Sequence, residues 1–132
     1  MTLLQKKINE LVKKANFKIY YDTLKFIQIK VAEVQDDLDP HRTLMIEDFR
    51  AFCLSIHLQE LIDPDVNRET FALEQFKEYI DTQFHYIEYY EGLKFIQNML
   101  AITNEHEPFK TTVLEDFRDI CLSMHQTAKK TQ

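Results

Sequence analysis

Residues 20–59 read YYDTLKFIQIKVAEVQDDLDPHRTLMIEDFRAFCLSIHLQ, and residues 89–127 read YYEGLKFIQNMLAITNEHEPFKTTVLEDFRDICLSMHQT. After a shift of 69 positions and one deletion, about eighteen of about thirty-eight aligned pairs are identical. Self-similarity of this kind is the signature of a tandem duplication, in which each copy folds as one structural unit. We therefore predict two internal repeats, approximately residues 1–62 and 68–132, within a single domain that spans residues 1–132.

Apolar residues recur at steps of three and four along the chain, which is the spacing of one face of an α-helix. In each copy this pattern gives three helices, separated by segments that contain proline or clustered acids. We predict loops at residues 36–43 and 105–111, a break between the copies at residues 61–68, and a fourth helix from Arg68 to Ile87. The predicted fold is an all-α six-helix bundle, in which two tandem three-helix repeats are related by a pseudo-two-fold axis.

The composition argues against several functional classes. The chain holds one glycine, whereas loops that cradle phosphates or dinucleotides need glycine because their backbone approaches the ligand closely. The net charge of −6 makes nucleic acid an unlikely partner, since nucleic-acid-binding proteins carry a basic footprint. No apolar run approaches the ~20 residues of a membrane span. We therefore expect no membrane association and a cytoplasmic location, where the two cysteines stay free thiols.

The two copies share a polar block that contains a cysteine and a histidine. Cys53 and His57 are four residues apart and face one side of a helix, and Cys121 and His125 repeat this arrangement. If the two helices meet near the axis, these side chains form the four-ligand set that zinc accepts in tetrahedral geometry. We otherwise expect no cofactor. The alternative is that Cys53 lies within the apolar stripe, where a free cysteine behaves as a small hydrophobic residue.

A second interpretation uses the arginine of the same block. Arg50 precedes His57 by seven residues, two turns along one helix face, and Arg118 precedes His125 by the same distance. This spacing resembles the arginine–six residues–histidine motif of HEPN-type ribonucleases, which are all-helical and pair two motifs across a dimer. The resemblance implies that the histidines act as general acid or base and that the arginines stabilise phosphate charge. The residue after the arginine, usually polar in that family, is aspartate in the second copy and alanine in the first.

A third interpretation is protein binding. Residues 79–91 read YIDTQFHYIEYYE, in which tyrosines interleave with carboxylates. Tyrosine is a favoured interface anchor, and flanking carboxylates steer a basic partner. The alternative is a helix whose tyrosines lie at the margin of the core. The predicted partner-binding residues are Tyr86, Glu88, Tyr89, Tyr90 and Glu91.

A second apolar face recurs in both copies. Phe26 and its counterpart Phe95 point away from the main stripe of their helix. They serve either the packing of the two units or a homodimer or partner surface. The sequence thus predicts a protein-binding regulator, inhibitor or immunity-type adaptor without catalytic activity. The alternatives are a zinc-binding regulatory protein and a HEPN-like ribonuclease.

Overall fold

The chain folds into α-helices alone wherever its structure is described. The computed structural model describes residues 2–34, 40–80, 86–102 and 108–130, and it contains no β-strand in these ranges. The all-α, six-helix prediction is confirmed. The helices are α1 (Leu3–Lys14), α2 (Phe17–Val34), α3 (Pro40–Ile62), α4 (Arg68–Tyr79), α5 (Tyr86–Ile102) and α6 (Pro108–Lys130).

Two helices begin earlier than the sequence pattern predicted. α3 starts at Pro40 and α6 at Pro108, so residues 40–43 and 108–111 are helical although we predicted loops there. Proline suits the first helical position because its missing N–H needs no partner and its φ is already close to the helical value. The other parts of these predicted loops lie outside the described residues.

The predicted fourth helix is divided between two helices. α4 ends at Tyr79, and Ile87 belongs to α5, which begins at Tyr86. Ile80 caps α4, where the backbone leaves the helical conformation. The apolar spacing continues across this point without glycine or proline, so the sequence gives no local sign of the end of α4. Residues 81–85 lie outside the described part of the chain.

The two halves interleave instead of forming two separate three-helix bundles. Among the described residues of each half, only the second and third helices pair, α2 with α3 and α5 with α6. The first helix of each half packs on the other half: α1 contacts α4 and α6, and α4 contacts α1 and α3. Exchanging the first three helices with the last three maps every packed pair among the described residues onto another packed pair. Neither half therefore has a complete core of its own.

The centre of the core is a stack of two phenylalanines that occupy the same position in the two copies. The rings of Phe49 and Phe117 lie 4.4 Å apart with an angle of 29° between their planes, and both side chains are buried. Tyr89 packs edge-on against Phe49 at 5.5 Å, and Tyr20 packs edge-on against Phe117 at 6.3 Å. Equivalent residues of two copies meet only near the axis that relates them, so the stack lies where a two-fold axis would pass.

These two tyrosines also bond to carboxylates in the opposite half. Tyr20 Oη donates to Asp116 Oδ2 at 2.7 Å, and Tyr89 Oη donates to Asp48 Oδ2 at 2.6 Å. Lys14 of α1 pairs with Asp116 at 2.8 Å. The Tyr20 hydrogen bond joins α2 to α6, and the Tyr89 hydrogen bond joins α5 to α3. Matched contacts of this kind are what a pseudo-two-fold relation would give, and they support that prediction.

Truncation of Phe49 should remove the centre of the core. We expect Phe49→Ala to lower the free energy of unfolding by roughly 3–5 kcal/mol, because it loses transfer energy and leaves a cavity. Urea denaturation followed by circular dichroism measures the change. Ile29→Ala, on the exposed side of α2, is the control and should cost less than about 1 kcal/mol. A similarly small loss for Phe49→Ala would mean that the stack does not organise the core.

The two tyrosines should make the fold sensitive to alkaline pH. Burial first, and then the hydrogen bond to the carboxylate, raise the pKa of Tyr20 and Tyr89. The unfolded chain loses these phenol protons above about pH 10, whereas the folded chain keeps them. The tyrosine contribution to the free energy of unfolding should therefore hold below that pH and fall as the pH rises beyond it. Buried Cys53 and Cys121, whose pKa is also raised by burial, act in the same direction.

The double variant Tyr20→Phe, Tyr89→Phe separates the tyrosines from the cysteines. At pH 7 it should be less stable by roughly 1.5–3 kcal/mol for each lost bond to a carboxylate. Above pH 10 its stability should decline less steeply than that of the wild type. Urea denaturation between pH 7 and 11 measures both effects, and Tyr79→Phe, at an exposed position, is the control. Equal slopes for wild type and double variant would contradict the assignment.

Candidate functional site

The predicted partner-binding residues lie on the first turns of α5 and divide between core and surface. Tyr86 and Tyr89 are buried, Tyr90 is half-buried, and Glu88 and Glu91 are exposed. A helix turns about 100° per residue, so five positions this close together cannot share one face. Only Tyr90 and the two glutamates are therefore accessible to a partner, whereas Tyr86 and Tyr89 belong to the core.

Tyr90 is held in place by an arginine from α6. The Arg118 guanidinium lies 5.2 Å from the centre of the Tyr90 ring, at the distance of a cation–π interaction. Arg118 Nη1 donates a hydrogen bond to Gln97 Oε1, and Gln97 Nε2 donates to Glu115 Oε1 at 3.1 Å. This chain of contacts orders the tyrosine and the arginine before any partner arrives, which lowers the entropy cost of binding.

An open groove of about 270 Å³ lies beside this stack. The exposed residues Glu115 and Asp119 are four positions apart on α6, so both carboxylates lie on the same face. Asp119 pairs with Lys7 of α1 at 3.0 Å, yet 63% of its side chain remains exposed. The groove is lined by Tyr90, Glu115, Arg118, Asp119 and Leu122. We call these residues, together with Glu88 and Glu91, the Tyr90 surface.

The first copy contains the same stack. The Arg50 guanidinium lies 5.3 Å from the centre of the Tyr21 ring and donates to Gln28 Oε1, and Gln28 Nε2 donates to Glu47 at 3.1 Å. In both clusters the arginine Nε is buried and has no hydrogen-bond partner among the described residues. The recurrence shows that the stack itself is a feature of the fold. A difference in function between the copies must therefore come from the surrounding residues.

The rim of the stack differs between the copies. At the rim, the second copy carries Asp119 where the first has Ala51. Glu88 replaces Ile19 on the other side of α5, about 200° around the helix from Tyr90. The rim is thus more acidic around Tyr90 than around its counterpart. This contrast makes the first copy a matched control for experiments on the second.

The four predicted zinc ligands occupy two kinds of environment. Cys53 and Cys121 are completely buried in the core, and burial raises the pKa of both thiols. His57 and His125 are half-buried. Across the described residues, no three histidine, cysteine, aspartate or glutamate side chains come together in a group that could hold a metal. Zinc binding stays an untested alternative.

Metal analysis of the purified protein tests this hypothesis directly. Because no three potential metal ligands come together among the described residues, we expect less than one zinc per chain and no change in Tm when a chelator is added. The double variant Cys53→Ala, Cys121→Ala should have the same metal content as the wild type. One zinc per chain, lost from the double variant and accompanied by a chelator-sensitive Tm, would establish the site.

The arginines and histidines of the ribonuclease hypothesis contact different neighbours. Arg50 and Arg118 each bond to a glutamine and lie over a tyrosine. His57 lies two turns further along α3, beside a groove of about 600 Å³ that also includes Glu60. These contacts give the arginines a role in packing α2 on α3 and α5 on α6. Ribonuclease activity stays an untested alternative.

Comparison with known proteins does not identify the chain: no protein-family model, no curated protein and no solved structure matches it. Among the described helices, none combines the length and the apolar character that a membrane crossing requires. A proposal about function must therefore be built from the chain's own surfaces.

Proposed function

We propose that this chain is a non-catalytic, cytoplasmic protein-binding regulator that recognises a basic protein through the Tyr90 surface. The observation that carries the proposal is Tyr90 stacked on Arg118 at the edge of an open groove with carboxylates on its rim. Tyrosine and arginine are the residue types that most often dominate binding energy at protein interfaces. An inhibitor or an immunity-type adaptor would work in this way, because each acts by occupying a partner's surface.

The charge of the surface defines the chemistry of the partner. Glu88, Glu91, Glu115 and Asp119 are all exposed, and the whole chain has a net charge of −6. A negative surface accelerates the encounter with a positive one and repels acidic competitors. We therefore propose a partner that presents lysine or arginine side chains toward α5 and α6.

The alternative interface is the face that contains Phe26 and Phe95, through which two copies of the chain would form a homodimer. Both side chains are only half-exposed. Lys30 Nζ lies 5.5 Å from the centre of the Phe26 ring, and Phe95 packs against the core. Each ring is thus already partly covered within the chain, and less apolar area remains for a second copy to bury.

Site-specific cross-linking identifies the partner and tests the surface in one experiment. A photoreactive amino acid replaces Asp119 in one variant and Ala51, its counterpart in the first copy, in another. We expect a covalent complex with one cellular protein of basic composition from position 119 but not from position 51. Mass spectrometry then identifies the partner and the peptide that was linked.

Once the partner is identified, two substitutions separate the contact made by Tyr90 from the long-range attraction of the carboxylates. Tyr90→Ala should weaken the complex by more than ~1 kcal/mol, mainly through faster dissociation, because it removes a buried anchor. Glu88→Lys should mainly slow association, and the effect should fade at high salt because charges are screened over ~10 Å at 0.1 M. Surface plasmon resonance at several salt concentrations measures both rate constants.

The matched control for the anchor is Tyr21→Ala. It removes the equivalent tyrosine–arginine stack from the first copy. It should lower the free energy of unfolding by about as much as Tyr90→Ala does, without changing the affinity for the partner. A salt-independent association rate, together with unchanged affinity for both Tyr90→Ala and Glu88→Lys, would place the interface elsewhere. The Phe26 and Phe95 face would then be examined by measuring the oligomeric state.

A further inference from the structure

The large exposed aliphatic side chains of the described residues all lie in the first copy. There are five such residues, and the residues at the equivalent positions of the second copy are all polar or charged. Single exposed apolar residues are ordinary on protein surfaces, but here one copy has a set that the other lacks. The residues of the first copy are Ile19, Ile29, Leu58, Leu61 and Ile62. Their counterparts are Glu88, Asn98, Gln126, Lys129 and Lys130.

Three of these residues form one apolar face at the C-terminal end of α3. Leu58, Leu61 and Ile62 are spaced at steps of three and four, so they share a side of the helix. At about 100° per residue this side points away from Phe49 and Ile56, which face the core. The exposed fractions are 48%, 67% and 78% along the trio, so exposure increases toward the end of the helix.

A groove lies between the start of α2 and the side of α3 that carries His57 and Glu60. It has a volume of about 600 Å³, and its lining includes Ile19 on one side and His57 and Glu60 on the other. Leu61 follows His57 by four residues and therefore lies on the same side of α3. Lys18 and Arg68 also line the groove, and their cations pair with Asp22 and Glu60. The groove is large enough to receive one bulky side chain. We call Ile19, Leu58, Leu61 and Ile62, with this groove, the α3 end surface.

The charges next to the α3 end surface are unbalanced. Glu60 is paired with Arg68, whose Nε lies 2.6 Å from the carboxylate. Asp63 and Asp65 follow immediately in the turn between α3 and α4, and both are exposed. Neither makes an ion pair with a described residue; the Asp63 carboxylate accepts only the backbone N–H of Asp65, at 3.1 Å. The apolar face is therefore bordered by two carboxylates that lack a cation.

We propose that the α3 end surface docks an amphipathic helix of another protein, with aliphatic residues on one face and lysine or arginine at its border. The apolar face of such a helix would cover Leu61 and Ile62, and one side chain would enter the groove. Its cations would reach Asp63 and Asp65. The inference rests on residues of the first copy, so it holds whether or not the Tyr90 surface binds a protein.

The same charges disfavour the two other occupants. An anionic lipid surface would repel Asp63 and Asp65, since membrane-binding segments carry basic residues beside their apolar face. A second molecule of the same chain, packed face to face, would bring Asp63 and Asp65 of both molecules close together. A basic helix is the occupant whose charge complements this border.

A designed peptide serves as the probe. It is an 18-residue helix with leucines at steps of three and four and lysines on both sides of the leucine stripe. A second peptide has glutamates in place of the lysines. The full chain, labelled with ¹⁵N, is titrated with each peptide and followed by NMR. We expect the lysine peptide to shift the amide signals of residues 16–19 and 57–65, and the glutamate peptide to bind at least about tenfold more weakly.

Two neutral substitutions test the apolar contact without adding charge. Leu61→Gln with Ile62→Gln should weaken binding of the lysine peptide by at least about tenfold, because two aliphatic anchors are lost. Ile29→Gln is the matched control, because it replaces an exposed isoleucine on α2 outside this surface, and it should leave binding unchanged. The double variant Asp63→Asn, Asp65→Asn should reduce the difference in affinity between the lysine peptide and the glutamate peptide.

Five results would overturn the inference. Absence of binding, or binding that Leu61→Gln with Ile62→Gln does not weaken, would remove the proposed contact. Self-association of the wild type, seen by analytical ultracentrifugation and lost in this double variant, would mean that a second molecule of the same chain occupies the surface. Binding to vesicles that contain phosphatidylserine, lost in the same variant, would make it a lipid surface. Peptide-induced shifts around Tyr90 alone would contradict this inference and leave the proposed function standing.

Discussion

The stack of Phe49 on Phe117 is the contact around which the helices are arranged. Each ring comes from the third helix of one half, so their contact fixes the distance between α3 and α6. Tyr20 and Tyr89 then pack against the edges of the two rings, and their hydroxyls reach carboxylates on the opposite half. Two kinds of interaction, aromatic and hydrogen-bonded, therefore hold the same four helices.

The interleaved topology follows from how little each half can bury alone. A unit of about sixty residues with one paired helix hairpin leaves the other side of that hairpin uncovered. α1 covers α6 and α4 covers α3, so each half supplies the missing layer of the other. Separation of the halves would expose both hairpins, and we therefore expect the chain to unfold as one cooperative unit.

The two halves share matching contacts in the interior and diverge at the surface. Both keep the tyrosine–arginine–glutamine cluster, which joins the second and third helix of each half. Around this shared scaffold the second half carries a more acidic rim at Tyr90, and the first half exposes aliphatic residues at the end of α3. The two proposed binding surfaces lie on different halves, and carboxylates border both, but one is anchored by an aromatic side chain and the other by aliphatic side chains. One bundle thus presents two chemically distinct faces.

The sequence by itself predicted the repeat and determined the helical class, because the 3.6-residue periodicity and the internal identity are local signals. It did not reveal the end of α4 at Tyr79, since the apolar spacing continues across it, nor the helical starts at Pro40 and Pro108. It named Tyr90 among five candidates, but only tertiary packing decided that Tyr86 and Tyr89 are buried and that Arg118 holds Tyr90. The physical reason is that burial depends on which helices meet, and the sequence pattern of one helix does not contain that information.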